Sequence, residues 1–199
     1  FTDVQNLVID EKNVGRDLLV SSQTGSGKTL AYSLSISDEI LIAKGKESST
    51  PSGLIITPTR ELALQVYQEI QWLFDKTDLT AVTSIGGMDI NKERAKLKRK
   101  FNLLIGTPGR INDHLRKKHL NLSKLSVLVL DEADEMLDLG FKEDLDKIIQ
   151  SSPENSRKLL FSATIPKKII SLANKYQKNP KRIEVSNQNV PHKDISYES

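Results

Sequence analysis

The stretch Ser22-Gln23-Thr24-Gly25-Ser26-Gly27-Lys28-Thr29 (SQTGSGKT) follows the short apolar run DLLVS and leads into a helical pattern that starts at Lys28. Strand, glycine-containing turn and helix is the setting in which such a turn cradles phosphate. Gly25 and Gly27 can take conformations that aim successive backbone N–H groups inward, and the helix that follows adds the positive end of its dipole. In a cradle of this kind Ser22 to Gly27 ring the anion, Lys28 reaches the β- and γ-phosphates, and the Thr29 hydroxyl is a ligand for Mg²⁺. The general pattern G-x-x-x-x-G-K-[ST] wants glycine first, and Ser22 is small enough to stand there. The plain alternative is a flexible serine and glycine turn that binds nothing.

Outward from this turn, short β-branched or leucine-rich runs recur at 17–22, 53–57, 80–86, 102–106, 127–130, 158–163 and 182–186. Each is of strand length and mostly apolar on both alternations, as expected of strands covered on both faces. Helical patterns lie between them. Leu62, Val66, Ile70 and Leu73 share one face of a helix, as do Ile169, Leu172, Ala173 and Tyr176, and Leu30, Leu34, Ile40 and Leu41 lie near one face after the turn. Alternating strands and helices predict an α/β domain, a mostly parallel sheet with helices on both faces. Ligands of such sheets bind beyond the carboxyl ends of the strands, so residues just after a strand carry extra weight.

Composition bounds the rest. A chain of 199 residues with 37% apolar and 28% charged residues suits one soluble domain. No apolar run approaches the roughly 20 residues that cross a bilayer, and the N-terminus lacks a basic stretch followed by an apolar one. No membrane association and a cytoplasmic location are expected. The absence of cysteine excludes disulfides and thiolate metal sites and fits a reducing compartment. A net charge of +3 permits an anionic partner without demanding one. The segment 43–53 reads as a surface loop, and the polar end, 188–199, as a linker leaving the domain or a free C-terminus.

A second constellation sits in SVLVLDEADEML, where Asp131 and Glu132 follow the apolar strand 127–130. Opposite a phosphate loop, an acidic residue in this place holds Mg²⁺ through water, a role that falls to Asp131. Glu132 is then placed to polarise an attacking water as general base. Alone, such a cluster is more often a solvated helix start with capping aspartates. Together, the two sites imply a nucleoside triphosphatase.

The order of motifs goes further. TGSGKT, PTRELA at 58–63, GG at 86–87, TPGR at 107–110, DEAD at 131–134 and SAT at 162–164 occur in the order seen in DEAD-box RNA helicases, and the similarity covers nearly the whole chain. The resemblance implies a RecA-like P-loop NTPase domain over 1–187, the first of the family's two, with 188–199 starting the interdomain linker. It implies ATP and Mg²⁺ as cofactors, RNA and the second RecA-like domain as partners, and a monomer. Thr2 to Gln5 resembles the family's adenine-recognising element, so Gln5 is expected to favour ATP over GTP; the proline usually found before GRD (15–17) is replaced near Asp10. For RNA the resemblance assigns Pro58, Thr59 and Arg60, Gly86 and Gly87, and Thr107, Pro108, Gly109 and Arg110 to the sugar-phosphate backbone, without base reading. Such binding is sequence-independent and weakens with salt. SAT resembles the family's coupling motif, with Ser162 and Thr164 bonded toward Asp134.

The function implied is ATP hydrolysis coupled to RNA binding and local duplex unwinding, with this domain alone weakly active; Lys28 and Glu132 are its catalytic residues. The alternatives are an ATP-gated RNA clamp that hardly unwinds, and an NTPase acting on protein or a small molecule. The basic runs at 92–100 and 116–119 read as solvated helix faces beside buried Leu97 and Phe101. His114, His119 and His192 lack metal-ligand spacing and read as surface residues, and Trp72 and Phe74 as helix packing.

Overall fold

The computed structural model describes residues 1–41 and 50–185. A short helix α1 (Asp3–Val8) and one 3-10 turn (Glu11–Asn13) precede β1 (Leu18–Ser21), α2 (Lys28–Ser35) and α3 (Ser37–Leu41). There follow β2 (Gly53–Ile56), α4 (Arg60–Leu73), β3 (Ala81–Ser84), α5 (Ile90–Leu97), β4 (Leu103–Gly106), α6 (Pro108–Arg116) and β5 (Val127–Leu130). The remaining elements are α7 (Ala133–Asp138), α8 (Lys142–Gln150), β6 (Arg157–Ser162), α9 (Lys167–Tyr176) and β7 (Lys181–Glu184). All seven runs expected to be strands are strands, with ends within two residues of those read from the sequence. Most of the 43–53 loop, the segment 188–199 and His192 lie outside the described residues.

The strands form one sheet in the order β3-β4-β2-β5-β6-β1-β7, and every pairing is parallel. Strand residues divide by alternation between two cores. Val20, Ile55, Ile105, Val129 and Phe161 face the layer of α1 to α4. Leu19, Leu54, Leu104, Leu128 and Leu160 face the layer of α5 to α9. Burial on both faces explains why these strands read as continuous apolar runs.

Two expectations about helix faces are corrected. The helix after the phosphate turn breaks at Ile36 and buries a different face from the one expected: Ala31, Tyr32, Ile36 and Ile40 are buried, Leu30 and Leu34 are half-buried, and Leu41 is exposed. On α4 the buried stripe runs Ala63, Val66, Ile70 and on to Phe74, which packs as expected. Trp72, two residues past Ile70, points the opposite way and is 77% exposed.

The amino-terminal segment is fastened by Arg157, at the buried start of β6. Its guanidinium donates to Arg16 O at 2.7 Å, Asn13 O at 3.2 Å, Ser35 O at 2.7 Å, Ser35 Oγ at 2.8 Å and Glu39 Oε1 at 3.0 Å. One side chain thus joins the approach to β1, the end of α2 and α3. Replacing it strands several buried acceptors at once, which is the costly kind of deletion. Arg157→Met is expected to lower unfolding stability by about 3 kcal/mol, read from urea unfolding; an unchanged midpoint would show that the segment is held without it.

Candidate active site

Because the sheet is wholly parallel, the turns after β1 to β6 emerge at one edge. Their order along that edge follows the strands: GG after β3, TPGR after β4, PTR after β2, DEAD after β5, SAT after β6, and the phosphate turn after β1. At about 4.8 Å per strand, the phosphate turn lies about 10 Å from the DEAD turn, with SAT between them.

In the phosphate turn Gly25 and Gly27 take positive φ of 79° and 86°, the conformations glycine was expected to supply. Gly27 caps α2, an eight-residue helix whose first residue is Lys28. The turn is closed on itself: Lys28 Nζ donates to Ser22 O at 3.0 Å, and the hydroxyls of Ser22 and Ser26 lie 2.5 Å apart. Ser22 is buried, so in the position where glycine is usual it contributes a bond across the turn. Gln23, Thr24 and Gly25 are exposed at the tip.

Gln5 is packed against the turn. Its Nε2 donates to Gly27 O at 3.3 Å and its Oε1 accepts from Thr2 N at 2.9 Å, while Thr2 Oγ1 donates to Ser26 O at 2.9 Å. A Cβ on Gly27 would fall 2.4 Å from Gln5 Nε2. These bonds leave the carboxamide one further N–H and one further lone pair.

Across the edge, Asp131 is buried. Tyr32 Oη donates to its Oδ2 at 3.1 Å, while Oδ1 is sealed from solvent and accepts no hydrogen bond. Burial raises its pKa to about 6, against the partial relief of nearby Lys28 and the Tyr32 hydroxyl. Burial, and then the Asp131 charge, push the Tyr32 phenol well above its usual range, which keeps it a donor. The next residue, Glu132, sits in the left-handed region at φ 52°, ψ 51°, a conformation costing about 1–2 kcal/mol in a residue with a side chain. That bend puts its Oε1 3.4 Å from Thr24 Oγ1 at the tip of the phosphate turn.

Thr164 donates to Asp134 Oδ2 from both its backbone N (3.0 Å) and its hydroxyl (2.8 Å), and Ser162 Oγ donates to Thr164 O at 2.5 Å. Partial burial acts to raise the Asp134 pKa, and the bonds from the Thr164 and Ser162 side chains and the local backbone outweigh it, leaving the pKa below the ordinary value. Ser162 O also accepts from Ser22 N at 3.0 Å. SAT therefore joins the phosphate turn to the DEAD turn. It lies on the far side of β5 from the PTR, TPGR and GG turns.

Those three turns are contiguous on β2, β4 and β3. Thr59 caps α4 through Leu62 N at 3.2 Å, Pro58 is buried, and Thr107 caps α6 ahead of Pro108. Gly87 has φ 76°, and a Cβ there would strike the Arg60 guanidinium at 2.1 Å. Gly86 and Gly109 are open, with nothing near a Cβ. Arg110 donates from Nη1 to Glu93 Oε2 at 3.3 Å and from Nη2 to Met88 O at 3.0 Å.

Two further expectations are corrected by that cluster. His114 is wholly buried, with Nε2 2.9 Å from Glu93 Oε2, and His119 is half-buried beside it. In the basic helix α5 the cations are exposed as expected, but Glu93 is 4% exposed. The helical spacing Ile90, Glu93, Leu97 puts this carboxylate on the apolar face, a signal present in the sequence. Tyr32 is the other site residue that sequence reasoning passed over.

A family model described as DEAD/DEAH box helicase matches residues 2–172. The chain belongs to this family. Among similar DEAD-box relatives, the "ATP-dependent RNA helicase DbpA" of Bacillus subtilis is 41% identical over 196 residues, covering 98% of this chain and 40% of that protein. The "DEAD-box ATP-dependent RNA helicase RhpA" of Helicobacter pylori is 39% identical over 193 residues, covering 97% and 38%. The chain thus spans about two fifths of the length of these curated relatives. A crystal structure of a DEAD box protein from Methanococcus jannaschii superposes with a TM-score of 0.82 at 37% identity, over 93% of this chain and 50% of that one. The DEAD-box RecA-like fold expected from the motifs is the fold observed. No helix among the described residues is long and apolar enough to cross a membrane.

The Asp131 pKa has a consequence for stability. A folded value of about 6 against an ordinary 3.8 means that the folded chain holds this proton more tightly than the unfolded chain. The group's contribution to stability is therefore fullest below about pH 4 and is lost as pH rises through about 6. Asp131→Asn is expected to stabilise the chain by about 2–3 kcal/mol at pH 8 and little at pH 4, measured by urea unfolding. No gain at pH 8 would show that the carboxylate is not desolvated.

Proposed function

We propose that this chain is the ATP-binding half of an ATP-dependent RNA helicase, residues 1–187 forming the first of two RecA-like domains and 188–199 leading toward the second. The observation that supports this best is the division of one sheet edge. The phosphate turn, SAT and DEAD turns occupy β1, β6 and β5, and three turns rich in glycine, hydroxyls and arginine continue along β2, β4 and β3.

ATP enters with its polyphosphate against residues 22–29. Lys28 exchanges its bond to Ser22 O for the β- and γ-phosphate oxygens, and the backbone N–H groups of the turn and of the α2 start take the remaining charge. Gln5, fixed beside Gly27, reads the adenine edge with its remaining donor and acceptor. The orphaned Asp131 Oδ1 and the Thr29 hydroxyl suit Mg²⁺, which they would hold, Asp131 through water, and which would supply positive charge opposite the transferred phosphoryl group. Glu132 orients the attacking water and accepts its proton. The second domain contributes cationic groups that stabilise the developing charge, and so the isolated domain turns over weakly.

RNA lies along Pro58 to Arg60, Gly86 and Gly87, and Thr107 to Arg110, held by backbone contacts that do not read bases. The bond between Asp134 and Thr164 ties the DEAD turn to SAT, so a change at the phosphate turn reaches β5, the strand that borders the RNA side. The protein works as a monomer in the cytoplasm.

In the full-length protein, ATPase is expected to rise on adding RNA, and a short duplex to separate in a strand-displacement assay. RNA-independent ATPase would favour an NTPase with another substrate; ATP-gated RNA retention without displacement would favour a clamp. Glu132→Gln is expected to lower kcat by about 10²–10⁴-fold while ATP still binds, and normal turnover would remove the general-base role.

A further inference from the structure

Among the described residues, Glu93 accepts more hydrogen bonds than any other carboxylate outside the nucleotide site. Its Oε1 accepts from Ile85 N at 3.0 Å, and its Oε2 accepts from Ser84 Oγ at 3.3 Å, Arg110 Nη1 at 3.3 Å and His114 Nε2 at 2.9 Å. The two oxygens thus hold the end of β3, just before Gly86 and Gly87, and both the first and the last turn of α6. The chain of contacts continues outward. Arg110 Nη2 donates to Met88 O, directly after the glycine pair, and Gly87 is packed on the Arg60 guanidinium. Three turns from three strands are interlocked, and the residue from which the bonds radiate is an acid in a helix otherwise lined with exposed cations.

We propose that Glu93 is the positioning residue of the RNA track: its carboxylate locks the turn after β3 to the arginine of the turn after β4 and so sets the spacing at which a ribose-phosphate backbone is gripped. The inference rests on the RNA reading above. The charge balance gives it a sign. Arg110 is 12% exposed and paired with a buried carboxylate, so its contribution to phosphate binding lies in fixed N–H direction more than in free charge. Neutralising Glu93 makes this edge more positive, and simple electrostatics would then tighten RNA binding and steepen its salt dependence. Loss of position predicts the opposite. Glutamine cannot reproduce the carboxylate here, because whichever way its amide is turned, the NH₂ group meets an obligate N–H donor, Ile85 N on one side or Arg110 Nη1 on the other.

The test uses the full-length protein. Glu93→Gln is expected to raise the RNA concentration for half-maximal ATPase by about tenfold, the loss of one charge-assisted bond network, with kcat at saturating RNA and KM for ATP unchanged. In an Arg110→Ala background the same change is expected to cost less than it does alone, since only the hold on the end of β3 is left to lose. Tighter RNA binding, unchanged RNA dependence, or a full additional loss in that background would overturn the proposal. Ser84→Ala removes only one donor to the carboxylate and serves as the milder variant should Glu93→Gln fail to fold. It is expected to weaken RNA by about two- to threefold, and no effect there would count equally against the role. If the unaltered protein itself shows no RNA-stimulated ATPase, the RNA reading fails. If it is stimulated and the variants match it, only the role of Glu93 fails.

Discussion

Seven parallel strands in one sheet are the constraint on which everything else in this protein depends. A parallel strand can be followed only by a crossover, and crossovers lay helices on both faces. Both faces are then apolar and closed to ligands. The polar chemistry is forced onto the carboxyl edge, where each strand hands over to a helix start with free N–H groups. Loops far apart in the chain, such as those at 22–29 and 131–134, become neighbours for no other reason.

Within that frame the nucleotide side holds stored cost. Asp131 is buried with one oxygen unpaired and its pKa pushed to about 6, and Glu132 occupies a left-handed backbone conformation. Neither serves stability. A buried carboxylate near Lys28 and a tight bend that brings the next side chain to the phosphate turn are both in keeping with the proposed binding of a polyphosphate and its cation. By contrast, the buried Arg157 and Glu93 side chains are bonded on every side and act as fasteners.

The placement of SAT refines how the two halves of the edge communicate. Its strand lies between the phosphate turn and the DEAD turn, so its bonds to Asp134 and Ser22 make the nucleotide side one connected unit. The half of the edge that carries the PTR, TPGR and GG turns is joined to that unit through β5 and β2, where Asp131 N donates to Ile56 O at 2.9 Å. The same backbone that carries the buried carboxylate is thus hydrogen-bonded to the strand leading into Pro58, Thr59 and Arg60.

Much of this was legible in the sequence. Apolar runs of strand length, the Gly-Lys-Thr after a strand and the order of six motifs determined the fold class, the family and the residues that crowd one edge, because each rests on local chemistry or on spacing along the chain. The sequence also carried, unread, the carboxylate at helical spacing between Ile90 and Leu97. Tertiary structure alone decided the rest. Strand order put SAT beside the phosphate turn, since pairing partners in a parallel sheet are chosen by crossover packing and not by chain order. Packing of α2 against the sheet put the Tyr32 hydroxyl on Asp131, and burial turned Glu93, His114 and Arg157 from surface charges by composition into interior ties. Desolvation and hydrogen-bond satisfaction belong to a three-dimensional environment, and no linear pattern encodes them until the elements are packed.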